Sequence, residues 1–357
     1  MSSFGCKICT RLYGWPETPL ETSPMPPSSS RKVVVTQRFF DEKSAEYLRA
    51  HGCEVVLAPP PPGQGDGDLD PAELQRMLAD AAGWIVGHAR VTRPLLEALP
   101  GLLVIARRGV GYERVDVEAA RDLGRVVTIA AGGNDASVAD HTIGLMIAVG
   151  RRFRASQADM QAGDWSILMG TDLCEKTVGL IGLGRIGRSV VRRLSGFDAK
   201  VLVHTPHPDA AYAEQTGVEY TGLTELLRRS DYVSLHAPLT QATRFLIDTR
   251  AIASMKKGAF LINTARGGLV DDAALLTGLQ NGHLGGAGLD VFVSESDPAF
   301  RPVSDALLAL PNVVATPHAG ASSHEGLART NMVAAKSVVT VLDGGMPAPG
   351  CVVADGR

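Results

Sequence analysis

The most constraining stretch of this chain is Thr177-Val-Gly-Leu-Ile-Gly-Leu-Gly-Arg-Ile-Gly187. It opens on an apolar run, Val178 to Ile181, closed by Gly182, which is the pattern of a fully buried strand. Gly182, Gly184 and Gly187 then stand in the spacing G-x-G-x-x-G, and Ile186, Val190, Val191 and Leu194 recur at helical spacing. In a strand–turn–helix unit of this kind, Gly182 permits the tight turn and Gly184 lets a ligand approach the backbone. Gly187 lets the helix pack closely on the strand. The helix N-terminus adds unpaired N–H groups and the positive end of the dipole, which suits a pyrophosphate. A chance glycine cluster is the bland alternative, but the strand before and the helix after favour a dinucleotide site.

The apolar runs around this turn predict an α/β chain. Residues 1–30 end in Pro24-Met-Pro-Pro-Ser-Ser-Ser30, show no periodicity, and read as a disordered leader. From Arg31, strands are expected over 32–36, 53–58, 83–86, 102–106 and 126–129, with helices over 42–51 and 72–81 and another after Pro94. The Pro/Gly run over 59–67 reads as a surface loop, and Arg107-Arg-Gly-Val-Gly-Tyr112 as a glycine-bearing turn. Ala130-Ala-Gly-Gly133 looks like a hinge, and Ser137-Val-Ala-Asp140 like a capping box opening an apolar helix to about Val149. Strands over 178–183, 200–204, 231–236, 259–263, 286–290 and 312–316 then predict a six-strand doubly wound sheet, with the glycine turn after its first strand. A last helix spans about Ser323 to Leu342 and ends at Gly344-Gly345. Two Rossmann-like domains with doubly wound parallel sheets are therefore expected, and 357 residues are enough for two cores.

Composition narrows the partners. A formal net charge of −3 exerts no global pull toward nucleic acid or an anionic membrane, and no apolar run reaches membrane-spanning length. The first thirty residues lack the apolar core of a signal peptide, and Cys6, Cys9, Cys53, Cys174 and Cys351 follow no disulfide framework. Reduced thiols in a cytoplasm are the expectation. Cys6-Lys-Ile-Cys9 could be half a zinc site, but no second ligand pair accompanies it, so no metal is expected.

Three further signals stand where strands end: Asn263-Thr-Ala-Arg-Gly-Gly268, Leu289-Asp-Val-Phe-Val-Ser-Glu295 and Thr316-Pro-His-Ala-Gly320. With Gly109-Val-Gly111, Gly179 to Gly187 and Leu235-His-Ala-Pro238, they resemble the D-isomer-specific 2-hydroxyacid dehydrogenases, the 3-phosphoglycerate, glycerate/hydroxypyruvate and D-lactate dehydrogenases among them. The likeness runs in consistent order over about 31–357. It implies a discontinuous substrate domain of 31–131 plus a C-terminal return over 325–357, and a dinucleotide-binding domain of 132–324 between them. It implies a homodimer joined through the long helix near Ser137, and hydride transfer between NAD or NADP and C2 of a small 2-oxo or 2-hydroxy acid. Same-fold alternatives are a dehydrogenase of another donor, such as phosphite, and a dinucleotide-sensing corepressor.

The resemblance also assigns residues. Arg266 matches the arginine that holds the substrate carboxylate and polarises its carbonyl, a task suited to a rigid, permanently charged fork. His318 matches the acid/base group and Glu295 the carboxylate that orients it. Gly182, Gly184, Arg185, Ile186 and Gly187 would surround the pyrophosphate, and Val110, His236 and Pro238 would line the cofactor cleft. Thr264, Ala265, Arg266, Asp290, His318 and Gly320 would face the nicotinamide side, with Asp290 accepting from its carboxamide. Val110 and Gly111 would present N–H groups to the substrate carboxylate, near Asn134.

Several positions depart from the family pattern. Thr205 stands where NAD enzymes carry an acid for the ribose, and no acid follows until Asp209. Thr205, His204 or His207 could hydrogen-bond a 2′-phosphate, yet the turn lacks the arginine typical of NADP clamps. NAD or NADP both remain open, with NADP(H) expected no more than about tenfold weaker. The substrate loop Val86-Gly-His-Ala-Arg-Val-Thr92 offers His88 and Arg90 rather than Arg-Ser, so no phosphate clamp is evident. Asp140 replaces a glutamate, and Ser296 a proline.

Overall fold

A computed structural model describes residues 31–357; the expected leader and the Cys6/Cys9 pair lie outside the described residues. The chain alternates β1 (Lys32–Val35), α1 (Glu42–Ala50), β2 (Glu54–Leu57), α2 (Pro71–Leu78), β3 (Gly83–Val86), α3 (Arg93–Glu97), β4 (Val104–Arg107), α4 (Val117–Asp122) and β5 (Val126–Ile129). After α5 (Asp135–Gly150) and α6 (Phe153–Gln161) comes a second series. It runs β6 (Thr177–Ile181), α7 (Arg185–Leu194), β7 (Lys200–His204), α8 (Ala210–Thr216), β8 (Glu219–Tyr220), α9 (Leu223–Arg229) and β9 (Tyr232–Leu235). It continues through α10 (Thr249–Ser254), β10 (Phe260–Asn263), α11 (Asp272–Gln280), β11 (Gly286–Leu289), α12 (Arg301–Ala309) and β12 (Val313–Ala315). α13 (His324–Leu342) and β13 (Val352–Asp355) close the chain.

The first sheet has six strands in the order β13-β5-β4-β3-β1-β2, and the second has seven in the order β12-β11-β10-β9-β6-β7-β8. In each, the chain builds outward from one strand and then crosses to its other side, between β1 and β3 and between β6 and β9. Ligands in such sheets lie beyond the carboxyl ends of the strands at these reversals. The loop after β3 and the glycine turn after β6 both occupy one.

Burial explains the apolar runs. Val33, Val35, Ile85, Val104 and Ala106 form one face of the first sheet and are covered by Ala334, Ala335, Val338, Val339, Val341 and Leu342 of α13. Val34, Trp84, Val86, Ile105 and Val127 form its other face, packed against Leu74, Leu78, Leu95, Leu96 and Ala119 of the helices between the strands. The second sheet is likewise buried on both sides, which is why its strands read as unbroken apolar runs rather than alternating ones.

Four details correct the sequence reading. β8 adds a seventh strand to the second sheet; at two residues it is too short to show a period. β13 pairs antiparallel with β5, so the first sheet is mixed rather than parallel. α5 begins at Asp135 behind Asn134, not at Ser137. The Ser137 hydroxyl instead bonds Ser323 at 2.9 Å and accepts from Arg329 at 3.0 Å, while Asp140 pairs with Arg193, so no capping box closes there. α6 was not foreseen, and Arg154 pins it by donating to the carbonyls of Leu308, Leu310 and Val313. Among the described residues, no helix is long and apolar enough to cross a membrane.

Candidate active site

The glycine turn after β6 divides its three glycines by what surrounds them. Gly182 has a left-handed φ of 98°, and a side chain there would lie 2.7 Å from the His236 backbone. One at Gly187 would lie 2.6 Å from the carbonyl oxygen of Gly182. At Gly184, the residue preceding α7, a methyl would meet no protein atom within 4 Å. Two of the glycines thus serve the fold, and the third opens onto space at a helix N-terminus, where a pyrophosphate fits. The Arg185 side chain is turned aside to Asp135, 2.9 Å away, and Ile186 packs against the core. Both stand at the start of α7, where backbone N–H groups lack helical partners.

At the carboxyl ends of β11 and β12, a buried carboxylate builds the turn that presents His318. Asp290 accepts from the Thr316 hydroxyl, from Ala319 N at 2.7 Å and from Gly320 N at 2.8 Å. Its own carbonyl takes the His318 N–H at 2.8 Å. Burial alone would raise this carboxyl, but the donors, with His141 alongside, hold it below its ordinary value. Asp290 is therefore first an anchor, although only one of these donors reaches Oδ2. His318 itself sits at a φ of 54°, a left-handed conformation unfavourable for a side-chain-bearing residue and held by this turn.

His318 Nδ1 lies 2.7 Å from Glu295 Oε2. The other Glu295 oxygen accepts from Phe292 N at 2.7 Å, so the carboxylate is fixed before it meets the imidazole. Asp272 accepts from Val293 N behind it, and burial pushes the Asp272 carboxyl up to about 6. The hydrogen bond to Glu295 raises the His318 imidazole above its ordinary value, against burial and the positive charge of Arg266.

Asn263, at the end of β10, clamps the Arg266 turn by donating to Arg266 O at 2.9 Å and accepting from Ala265 N at 3.1 Å. Thr264 is tied to Thr142 at 2.8 Å. Arg266 donates to Glu113 from Nε at 2.8 Å and to Ala265 O from Nη1 at 2.7 Å. Its Nη2 lies 2.3 Å from where a side chain on Gly111 would begin. The two sheets thus meet at Arg266 and the Gly109-Val110-Gly111 turn, and glycine makes that approach possible. Burial would raise Glu113, but the Arg266 charge and hydrogen bond bring it below its usual value.

Glu113, Arg107 and Asp66 escaped the sequence reading. Arg107 is 6% exposed, donates to Gly111 O at 2.9 Å, and is lowered to about 10, chiefly by burial. Asp66 lies in the stretch read as a surface loop yet is 3% exposed. It accepts from Thr36, Gln37, Gly87 N and His88 N, the last two at 2.6 Å. This fixes the loop after β3, so that the His88 ring stands edge-on 6.2 Å from that of His318. Part of the His88 ring reaches solvent, yet the surrounding walls and the Arg107 charge lower it to about 4, leaving it neutral. None of these groups carried a signal in the sequence, because each acts through partners distant in the chain or through the turn it lies in.

The remaining expected residues are more dispersed. His236 bonds Ser234 at 2.9 Å and is lowered to about 4 by burial, as befits a neutral wall residue. Pro238 is exposed at the rim. Thr205 closes a local turn by accepting from His207 N at 3.3 Å, and His204 is tied to Thr221 O. Asn134 is buried at the start of α5, and its side-chain oxygen has no hydrogen-bond partner. Among the described residues, no cluster of three or more His, Cys, Asp or Glu could hold a metal ion.

Residues 143–320 match the family described as D-isomer specific 2-hydroxyacid dehydrogenase, NAD binding domain. The hydroxypyruvate reductase of Thermotoga maritima is 39% identical over 267 residues, covering 74% of this chain and 86% of that protein. The chain belongs to the D-isomer specific 2-hydroxyacid dehydrogenase family. The D-3-phosphoglycerate dehydrogenase of Methanocaldococcus jannaschii is 40% identical over 280 residues, which cover 77% of this chain and 52% of that protein. The chain thus spans about half the length of the phosphoglycerate dehydrogenases it matches. Among solved structures of this fold, the TT0316 protein from Thermus thermophilus superposes with a TM-score of 0.80 at 37% identity, over 90% of this chain and 99% of that one.

Proposed function

We propose that this family member is an NAD(P)-dependent oxidoreductase that moves a hydride between nicotinamide and C2 of a small 2-oxo or 2-hydroxy acid, with D-isomer specificity. The observation that carries this reading is the 2.7 Å His318–Glu295 hydrogen bond beyond the carboxyl ends of β11 and β12, with Arg266 beyond the end of the adjacent β10. The nicotinamide supplies or accepts the hydride when bound. Arg266 holds the substrate carboxylate and polarises the C2 carbonyl, with Glu113 setting the plane of its fork. Val110 and Gly111 offer N–H groups to the same carboxylate, and Asn134 lies close by. Because Nδ1 of His318 faces Glu295, Nε2 is the atom that passes a proton to the carbonyl oxygen in reduction and takes it back in oxidation.

Gly182, Gly184 and Gly187, with the N–H groups of Arg185 and Ile186, hold the pyrophosphate, and Thr205 stands by the adenosine ribose. His236, Pro238 and Val110 line the cofactor cleft, and Thr264, Ala265, Arg266, His318 and Gly320 face the nicotinamide. Asp290 would accept from the carboxamide. We assign 31–131 and 325–357 to the substrate side and 132–324 to the cofactor side. A homodimer is supported by Phe153, Met160, Trp165, Ile167 and Met169, an exposed apolar band on α6 and the segment after it, with Trp165 75% and Ile167 94% exposed.

Oxidation of NADH and NADPH by glyoxylate, hydroxypyruvate and pyruvate, followed at steady state in the parent and in His318→Ala, tests the assignment. The parent turns over, and the variant loses kcat by roughly 10²–10⁴. Absence of turnover on every 2-oxo acid, or an undiminished kcat in the variant, refutes the reading.

A further inference from the structure

An NAD enzyme places an acid at the end of the second strand of its cofactor sheet, and here that position is Thr205. The structure brings an arginine of α7 to an aspartate of this same segment. Arg188, on the first turn of α7, donates from Nη2 to Asp209 Oδ2 over 2.9 Å. Its guanidinium carbon lies 4.2 Å from the centroid of the Tyr212 ring. Asp209 precedes α8 and caps it, with Oδ1 accepting from Tyr212 N at 3.1 Å. Arg188 thus bridges from α7 to Asp209 and Tyr212, in the segment that follows β7. Arg192 follows one turn along the same helix.

These contacts decide which group can serve the ribose. Asp209 is the nearest acid after Thr205, but one of its oxygens caps a helix and the other holds Arg188. Arg188 has donors to spare, since a guanidinium carries more N–H groups than one carboxylate oxygen uses. The Tyr212 ring fixes the plane of the fork without consuming those donors. The Arg188 and Asp209 side chains are 42% and 40% exposed, so solvent weakens their pairing. A phosphate monoester, with a charge of about −1.5 to −2 and several strong acceptor oxygens, competes well against such a carboxylate.

We propose that Arg188 is the ligand for a ribose 2′-phosphate at this site, leaving Asp209 when NADP is bound and returning to it when NAD is bound. The arginine missing from the turn is supplied by the helix. This inference rests on the dinucleotide reading of the glycine turn.

The test is affinity rather than turnover. The full chain is titrated with NADPH and NADH by nicotinamide fluorescence, and with 2′,5′-ADP and 5′-AMP by calorimetry. The variants are Arg188→Ala, Arg188→Lys and Asp209→Asn, the last keeping a good helix cap. Arg188→Ala lowers the NADPH-to-NADH affinity ratio by roughly tenfold or more, and the 2′,5′-ADP-to-5′-AMP ratio with it. Arg188→Lys restores part of the loss, and Asp209→Asn raises both ratios. An unchanged ratio in Arg188→Ala overturns the inference, as does a parent that binds NADH but not NADPH. A parent that binds neither dinucleotide refutes the cofactor reading itself, a result distinct from the other two, and the inference goes with it.

Discussion

Substituting Gly111 by alanine is the sharpest probe of how the two sheets meet. Its backbone is not left-handed, so alanine fits the local conformation, and the cost comes from what the new methyl touches. That carbon would lie 2.3 Å from Arg266 Nη2 and 2.7 Å from a Glu113 carboxylate oxygen, against the 3.4 Å at which ordinary contact begins. The guanidinium must therefore retreat by about 1.1 Å, and it cannot do so and keep its 2.8 Å bond to Glu113 unchanged. A displacement of about 1 Å in a group that positions substrate costs on the order of 10² in rate. This corresponds to about 2.7 kcal/mol of transition-state stabilisation. The turn is only partly buried, so folding stability should change by less than about 1 kcal/mol. Steady-state kinetics on whichever 2-oxo acid is turned over, beside a denaturant melt, reads both quantities. A kcat/KM within about threefold of the parent refutes the argument. So does a loss matched by unfolding, because Arg266 would then not be the group displaced.

Three further outcomes follow from the same geometry. His318 is raised by its bond to Glu295, so the pair stabilises the folded chain fully below the unfolded histidine value of about 6.5 and fades as pH climbs through the higher folded value. Glu295→Gln should lower melting temperature more in mild acid than in base and move the alkaline fall of the reductive rate to lower pH; a pH-independent difference contradicts this. Asp66→Ala strips the acceptor from four buried or half-buried donors and should cost about 3 kcal/mol in urea unfolding, with Asp66→Asn costing less. Equal stability of all three proteins would remove Asp66 from the account. Gly184→Ala should leave the melt unchanged and weaken dinucleotide binding, whereas Gly182→Ala, at a φ of 98°, should destabilise the fold itself. A reversal of those two effects would mean that the open space at Gly184 is not the ligand's.

Much of this was legible in the sequence because the chemistry stands at the ends of apolar runs. The strands other than β8 and β13 announced themselves as apolar stretches, and the residues just beyond them, Gly182, Arg266, Asp290 and His318, fall where a doubly wound sheet places its ligands. Illegible were contacts between groups far apart in the chain. Glu113 reaches across 153 positions to Arg266, and Asp66 meets His88 from a loop whose composition predicts only solvent. Ser137 and Asp140 had the spacing of a local cap, but partners on α13 and α7 claimed both side chains. The Arg188–Asp209 pair at the end of β7 was equally illegible, because its partners stand on α7 and at the start of α8.

The covering of the first sheet by α13 bears on the order in which the protein is made. Residues 32–129 leave the ribosome with one face bare, because the helix that covers Val33, Val35, Ile85, Val104 and Ala106 is encoded some two hundred codons later. The edge of β5 waits equally long for β13. The second sheet draws its strands from 177–315 alone, so it can condense while its neighbour is still half-dressed. The nascent chain therefore carries an unclosed apolar surface through most of translation, the kind of intermediate that holding chaperones are suited to shield.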